Sequence, residues 1–157
     1  MKKVILAFGV MGFLVAGGSS IAQGQEQKLA FSINLGIQKE IYVEYPENAL
    51  LTVDARLCIS IAKFVEISPE FMAVLEDWFY PGVMLNFKLG GFFAGVGAVL
   101  PIYYGVGGHG SNSLSPKVNM GYAARYLTLT VYALTQNHES LGLWVYNYMG
   151  ATVGYRF

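Results

Sequence analysis

Residues 80–100 read YPGVMLNFKLGGFFAGVGAVL, and the choice between helix and strand is made there. Residues 89–108 run for twenty positions without a charge, about the length that a helix needs to cross a bilayer. The composition of that run argues for strands. It holds seven glycines and Pro101, and each glycine in a helix interior costs about 1 kcal/mol relative to alanine. Gly95 and Gly97 alternate with Ala94, Val96 and Ala98, the period of two that a strand requires. Gly90-Gly91 supplies a two-residue turn whose residues can adopt the positive φ angles of tight hairpins. Such a turn pairs Leu89 with Phe92, Phe87 with Ala94, Leu85 with Val96 and Val83 with Ala98 on one face. Asn86 then meets Gly95 and Met84 meets Gly97 on the other.

The same period extends in both directions and divides the chain into eight expected strands: 28–37, 51–61, 65–73, 80–89, 92–100, 117–124, 127–135 and 141–157. The first is nearly unbroken, with Leu29, Phe31, Ile33, Leu35 and Ile37 on one face and Ala30, Ser32, Asn34 and Gly36 on the other. The second sets Val53, Ala55, Leu57, Ile59 and Ile61 against Thr52, Asp54, Arg56, Cys58 and Ser60. In the third, Glu66, Ser68 and Glu70 form the polar face, and Pro69 is a weak point because it cannot donate to a ladder. Arg125-Tyr126 carries no turn signal. One continuous strand there would exceed the roughly 9–11 residues of a membrane strand and leave an odd number of strands, so a turn is placed between them. A three-residue turn at 62–64 would pair Ile61 with Val65 and set Arg56 opposite Glu70 and Ser60 opposite Glu66. Asp54, Arg56, Glu66 and Glu70 are therefore expected as an ion-pair network on the inner face that plugs the interior.

Connections alternate between short and long. The segments near 62–64, 90–91 and 125–126 are short, and those near 38–50, 74–79, 102–116 and 136–140 are longer. The longer ones carry Lys39, Glu40, Glu44, Glu47, Glu76, Asp77 and Glu139, an acidic, solvated face. Aromatics fall at both strand ends: Tyr42, Trp78, Tyr80, Tyr103 and Tyr104 near the long segments, Phe87, Phe92, Tyr126, Tyr155 and Phe157 near the short ones. Two girdles of this kind are expected at membrane interfaces.

The N-terminus points to export. Met1-Lys2-Lys3 precedes an apolar core from Val4 to Ala16, and Ser20-Ile21-Ala22 offers a small-x-small cleavage site. Residues 1–22 read as a signal peptide and 23–157 as a single domain. The chain is 54% hydrophobic, 15% aromatic and only 13% charged, with a mean hydropathy of +0.44. A soluble domain carries about 25% charge, so apolar surface must face something other than water. Removal of Lys2 and Lys3 turns the neutral whole into eight Lys/Arg against ten Asp/Glu, a formal charge of −2, with no basic patch for nucleic acid. Cys58 is the single cysteine, which excludes an internal disulfide and a cysteine metal cluster. No cofactor or metal site is expected.

The last stretch sets Leu143, Val145, Met149, Ala151, Val153, Tyr155 and Phe157 on one face and ends Tyr155-Arg156-Phe157. It resembles the insertion signal of bacterial outer-membrane barrels, which their assembly machinery reads. The mature chain as a whole resembles small eight-stranded outer-membrane barrels, the architecture of the OmpA transmembrane domain and OmpX. That resemblance implies an all-β, antiparallel, up-and-down transmembrane β-barrel in the outer membrane, with outer-membrane lipid and the barrel assembly machinery as partners. It leaves an extracellular ligand unnamed. Fold alone does not decide among anchors, adhesins, pores and enzymes. His109-Gly110-Ser111-Asn112 is similar to the His-x-Ser-Asn stretch of lipid A deacylases, in which a histidine activates a serine nucleophile, so an acyl hydrolase using His109 and Ser111 is one alternative. As polar residues of a Gly/Ser-rich loop they need no such role; His138 and Ser140 form a second isolated pairing. A small pore is another alternative. A soluble lipocalin-like barrel would need its apolar face inside. The expected protein is a non-enzymatic barrel with a side-chain-filled lumen.

Overall fold

The computed structural model describes residues 29–41, 49–75, 78–104, 113–135 and 146–157. The signal segment, His109, Ser111, His138, Ser140 and most of the acidic loop residues lie outside them. The strands are β1 (Leu29–Glu40), β2 (Leu50–Ala62), β3 (Val65–Val74), β4 (Trp78–Leu89), β5 (Phe92–Val99), β6 (Ser115–Ala123), β7 (Leu127–Thr135) and β8 (Tyr146–Arg156). A two-residue piece, Ile102–Tyr103, prolongs β5 along β4 after Leu100 and Pro101 interrupt it. Proline removes the ladder donor at that point, and Leu100 instead bonds Pro81 O at 2.8 Å.

Each strand pairs antiparallel with its neighbours in sequence, and β1 also pairs with β8. The sheet therefore closes on itself as an eight-stranded, up-and-down barrel. At the central hairpin the register is Leu89 with Phe92, Phe87 with Ala94, Asn86 with Gly95 and Met84 with Gly97. Gly90 takes φ 61°, a left-handed conformation that favours glycine. At Arg125–Tyr126 the turn exists: Tyr122 pairs with Leu129, and Ala124 N donates to Leu127 O at 2.8 Å.

Three local expectations are corrected. The first turn is two residues, Lys63–Phe64, with Ala62 paired to Val65, because a bulge at Ile61 absorbs the extra residue; Ser60 still faces Glu66 and Arg56 faces Glu70. A bulge sets two residues of one strand against one of its partner and shifts the register by one across it, here between Ser60 and Ala62. Second, β3 and β4 run longer than the period suggested, leaving only residues 75–77 between them. Third, Tyr80 is fully buried. It stands on the same face as Met84 and Asn86, so it fills the lumen and does not join the girdle.

The outer surface is apolar. Leu35, Val83, Phe92 and Val96 are each more than half exposed. The inner surface carries Ser32, Asn34, Thr52, Asp54, Arg56, Ser68, Glu70, Asn86 and Lys117, all nearly inaccessible. This is the inverse of a water-soluble barrel and the pattern of a transmembrane one. Ala55, on the outer parity, is buried all the same, since it stands between the larger Ile33 and Phe71 on its two neighbouring strands. Aromatics gird the turn end as a nearly continuous chain, with Phe92–Tyr122 at 5.1 Å, Tyr126–Tyr155 at 5.9 Å, Tyr155–Phe157 at 4.9 Å and Phe31–Phe157 at 6.1 Å between ring centres. At the loop end Trp78 packs edge-on against Tyr103 at 5.1 Å.

Candidate functional site: the barrel interior

An eight-stranded barrel is just wide enough for side chains to fill, and here they fill it in layers. Towards the loop end lies an apolar plug of Met72, Val74, Tyr80, Val99, Tyr132 and Leu134, with Leu50, Trp78 and Tyr148 packed against it. It exists because β3, β4, β5 and β7 turn large apolar residues inward at their loop ends, where the polar alternation seen elsewhere on the inner face lapses.

Below the plug is a charged belt. Arg56 Nη2 donates to Asp54 Oδ2 at 2.7 Å, and its Nε lies 3.5 Å from Glu70 Oε2. Lys117 Nζ donates to Glu70 Oε1 at 2.6 Å, both side chains being wholly inaccessible. Lys117 Nζ also sits 4.6 Å from the centre of the Tyr132 ring, a cation–π contact that desolvation strengthens. Because β6 is three strands from β3 around the barrel, the Lys117–Glu70 pair crosses the lumen. Arg56 Nη1 extends the crossing to Thr130 Oγ1 on β7 at 3.4 Å. Asn34 Nδ2 donates to Asp54 Oδ2 at 3.2 Å, and Thr128 Oγ1 donates to Asn34 Oδ1.

Glycines make these crossings possible. Gly154 lies between Asn34 and Thr128 in register, and Gly150 between Gln38 and Tyr132. With no side chain on the middle strand, residues two strands apart can touch: Tyr132 Oη donates to Gln38 Oε1 at 3.1 Å. A Cβ on Gly154 would run into the Asn34 side chain and Ile33 O.

Glu66 does not join the Arg56 cluster. It lies nearer the turn end, where Lys88 Nζ donates to its Oε2 at 3.2 Å and Ser68 Oγ to its Oε1 at 3.0 Å. The expected network is thus two groups, Asp54–Arg56–Glu70–Lys117 and Glu66–Lys88. Lys117 and Lys88 were missed by the sequence reasoning. Strand parity puts both on the inner face, the one signal that could have found them, but partners across a lumen are not neighbours in any ladder. Tyr155 and Phe157 lie on the outer surface, each about half exposed, and Phe157 N donates to Phe31 O at 2.8 Å. Among the described residues no group of His, Cys, Asp and Glu could hold a metal ion.

Chemically, the belt is a set of mutually spent charges. Each carboxylate is met by a cation, and the belt presents fixed side chains where an open channel would present water.

No protein-family model matches the sequence, and no curated protein sequence matches it significantly. Among solved structures it is similar to a de novo designed transmembrane β-barrel, at 11% identity and TM-score 0.47, over 86% of this chain and 98% of that one. A second designed barrel, TMB2.3, solved by NMR, gives 11% and 0.46 over 85% and 98%. Ail, the attachment invasion locus protein of Yersinia pestis, crystallised with the heparin analogue sucrose octasulfate, gives 10% and 0.44 over 82% and 97%. These are likenesses of outline. The chain's own closure and inverted surface make it an eight-stranded transmembrane β-barrel.

Proposed function

We propose that the protein is a non-enzymatic barrel of the bacterial outer membrane, exported with residues 1–22 removed near Ala22, acting as a structural or surface-interaction element. Outer-membrane lipid surrounds its apolar face, and the barrel assembly machinery is its partner during insertion. One observation carries the reading of the lumen: the chain Lys117–Glu70–Arg56–Asp54 crosses the barrel beneath a buried apolar plug. Two successive closures favour a filled barrel over a small pore.

Planar-bilayer recording of the refolded protein tests this. The expected trace shows no steady conductance; a stable ohmic current from the wild type would overturn the filled-lumen reading. The address is tested separately. Deletion of Phe157 removes a ring seated against Phe31 and Tyr155 and should lower recovery of folded protein in the outer membrane several-fold while leaving export intact. Normal recovery, with native heat-dependent gel mobility, would remove Phe157 from the assembly signal.

A further inference from the structure

Beneath the plug the described lumen holds four cations, Arg56, Lys88, Lys117 and Arg156, and three carboxylates, Asp54, Glu66 and Glu70. The carboxylates are all engaged, Asp54 by Arg56, Glu70 by Lys117 and Arg56, and Glu66 by Lys88. Arg156 is the cation left over. No ion pair to it is formed among the described residues, and its Nε is buried without a hydrogen-bond partner. The rest of its side chain is partly exposed, and a guanidinium does not shed its proton in a protein, so Arg156 keeps its full charge at the turn end with no ion-pair partner; Glu66 is the carboxylate that feels its field.

This surplus faces a cavity of about 90 Å³ at the turn end of the barrel, lined by Arg156, Lys88, Arg56, Glu66 and Ser32, with Gly90 and Gly91 among the residues that bound it. The apolar plug closes the other end, so access is from the turn side. The space exceeds that of a single water and is far below the roughly 300 Å³ at which sites for larger organic ligands begin. It suits one small ion. The donors suit an oxyanion: a guanidinium offers paired N–H groups matched to two oxygens. Lys88 stands beside it, and Ser32 Oγ accepts from Asn34 Nδ2 at 3.2 Å, which leaves the Ser32 hydroxyl proton free to be donated.

We propose that this cavity is a binding site for one small oxyanion, a phosphate or a carboxylate, with Arg156 as its principal ligand and Lys88 and Ser32 alongside. The inference goes beyond the filled-lumen reading, since a site open at one end neither needs nor creates a channel.

The test is an NMR titration of the intact barrel in a maltoside detergent that carries no phosphate, following the Gly90 and Gly91 amides and the Arg156 Nε–H. Inorganic phosphate and, separately, acetate are added at constant ionic strength against chloride. Saturable shifts with one or both are expected, and which of the two saturates identifies the anion class. Arg156→Gln should weaken binding at least ten-fold at Gly90 and Gly91, Arg156→Lys should retain part of it, and Lys88→Gln should weaken it less. Shifts that grow linearly with both anions, or unchanged affinity in Arg156→Gln, would overturn the site. Should Arg156→Gln fail to refold, the Arg156→Lys and Lys88→Gln variants give the same decision.

Discussion

Two zones of one lumen fill the same kind of space by opposite means. In the plug, Met72, Val74, Tyr80, Val99, Tyr132 and Leu134 are held by shape, and each contributes according to the volume it occupies. In the belt, Asp54, Arg56, Glu70 and Lys117 are held by one another, so the effect of losing any one depends on which partner is left behind. The difference separates a graded region from an interdependent one along the same eight strands.

The largest expected effect lies in the belt. Glu70→Ala strands Lys117, which has no accessible side-chain surface, and should destabilise the refolded barrel by about 4 kcal/mol, the scale of breaking a buried pair from one side. Glu70→Ala combined with Lys117→Met should be less destabilised than the sum of the singles, which urea unfolding of all three variants would show. Simple additivity would erase the contrast between the zones. In the plug, Met72→Ala should cost about 3 kcal/mol through the cavity it leaves, and the same unfolding experiment should give that loss at low and high salt alike. A strong salt dependence there would mean that the plug is coupled to the charges below it. The smallest effect belongs to Lys88→Ala. Lys88 is 23% exposed, its pair with Glu66 is screened, and the loss should stay below about 1 kcal/mol and shrink as salt rises. A loss as large as that of Glu70→Ala would place Lys88 in the interdependent belt.

The architecture was legible because lipid outside and polar side chains inside impose one period on every strand. Gly90-Gly91 set a register that ladder geometry then propagated. Arg56 and Glu70 could be placed opposite each other because they are ladder neighbours on β2 and β3. Lys117 could not be paired with Glu70 in the same way, since their contact spans the lumen and depends on the curvature of the closed sheet. Tyr80 misled because aromatic character alone does not tell a girdle residue from a lumen-filling one; its parity with Met84 does. Ile61 misled because a bulge changes turn length without changing the hydrophobic alternation on either side.

The seam between β1 and β8 has a kinetic consequence. Ser32 pairs with Arg156 and Phe31 O bonds Phe157 N, so closing the barrel joins the two most distant described parts of the chain. The entropy of joining distant segments rises only by about 0.6 kcal/mol per doubling of the intervening length. An open edge in hydrocarbon is far worse, at several kcal/mol for each unpaired amide or carbonyl. A half-made barrel therefore has no resting place in lipid: insertion and circularisation must occur as a single event, and whatever shelters the free edges of β1 and β8 until they meet governs how fast the protein matures.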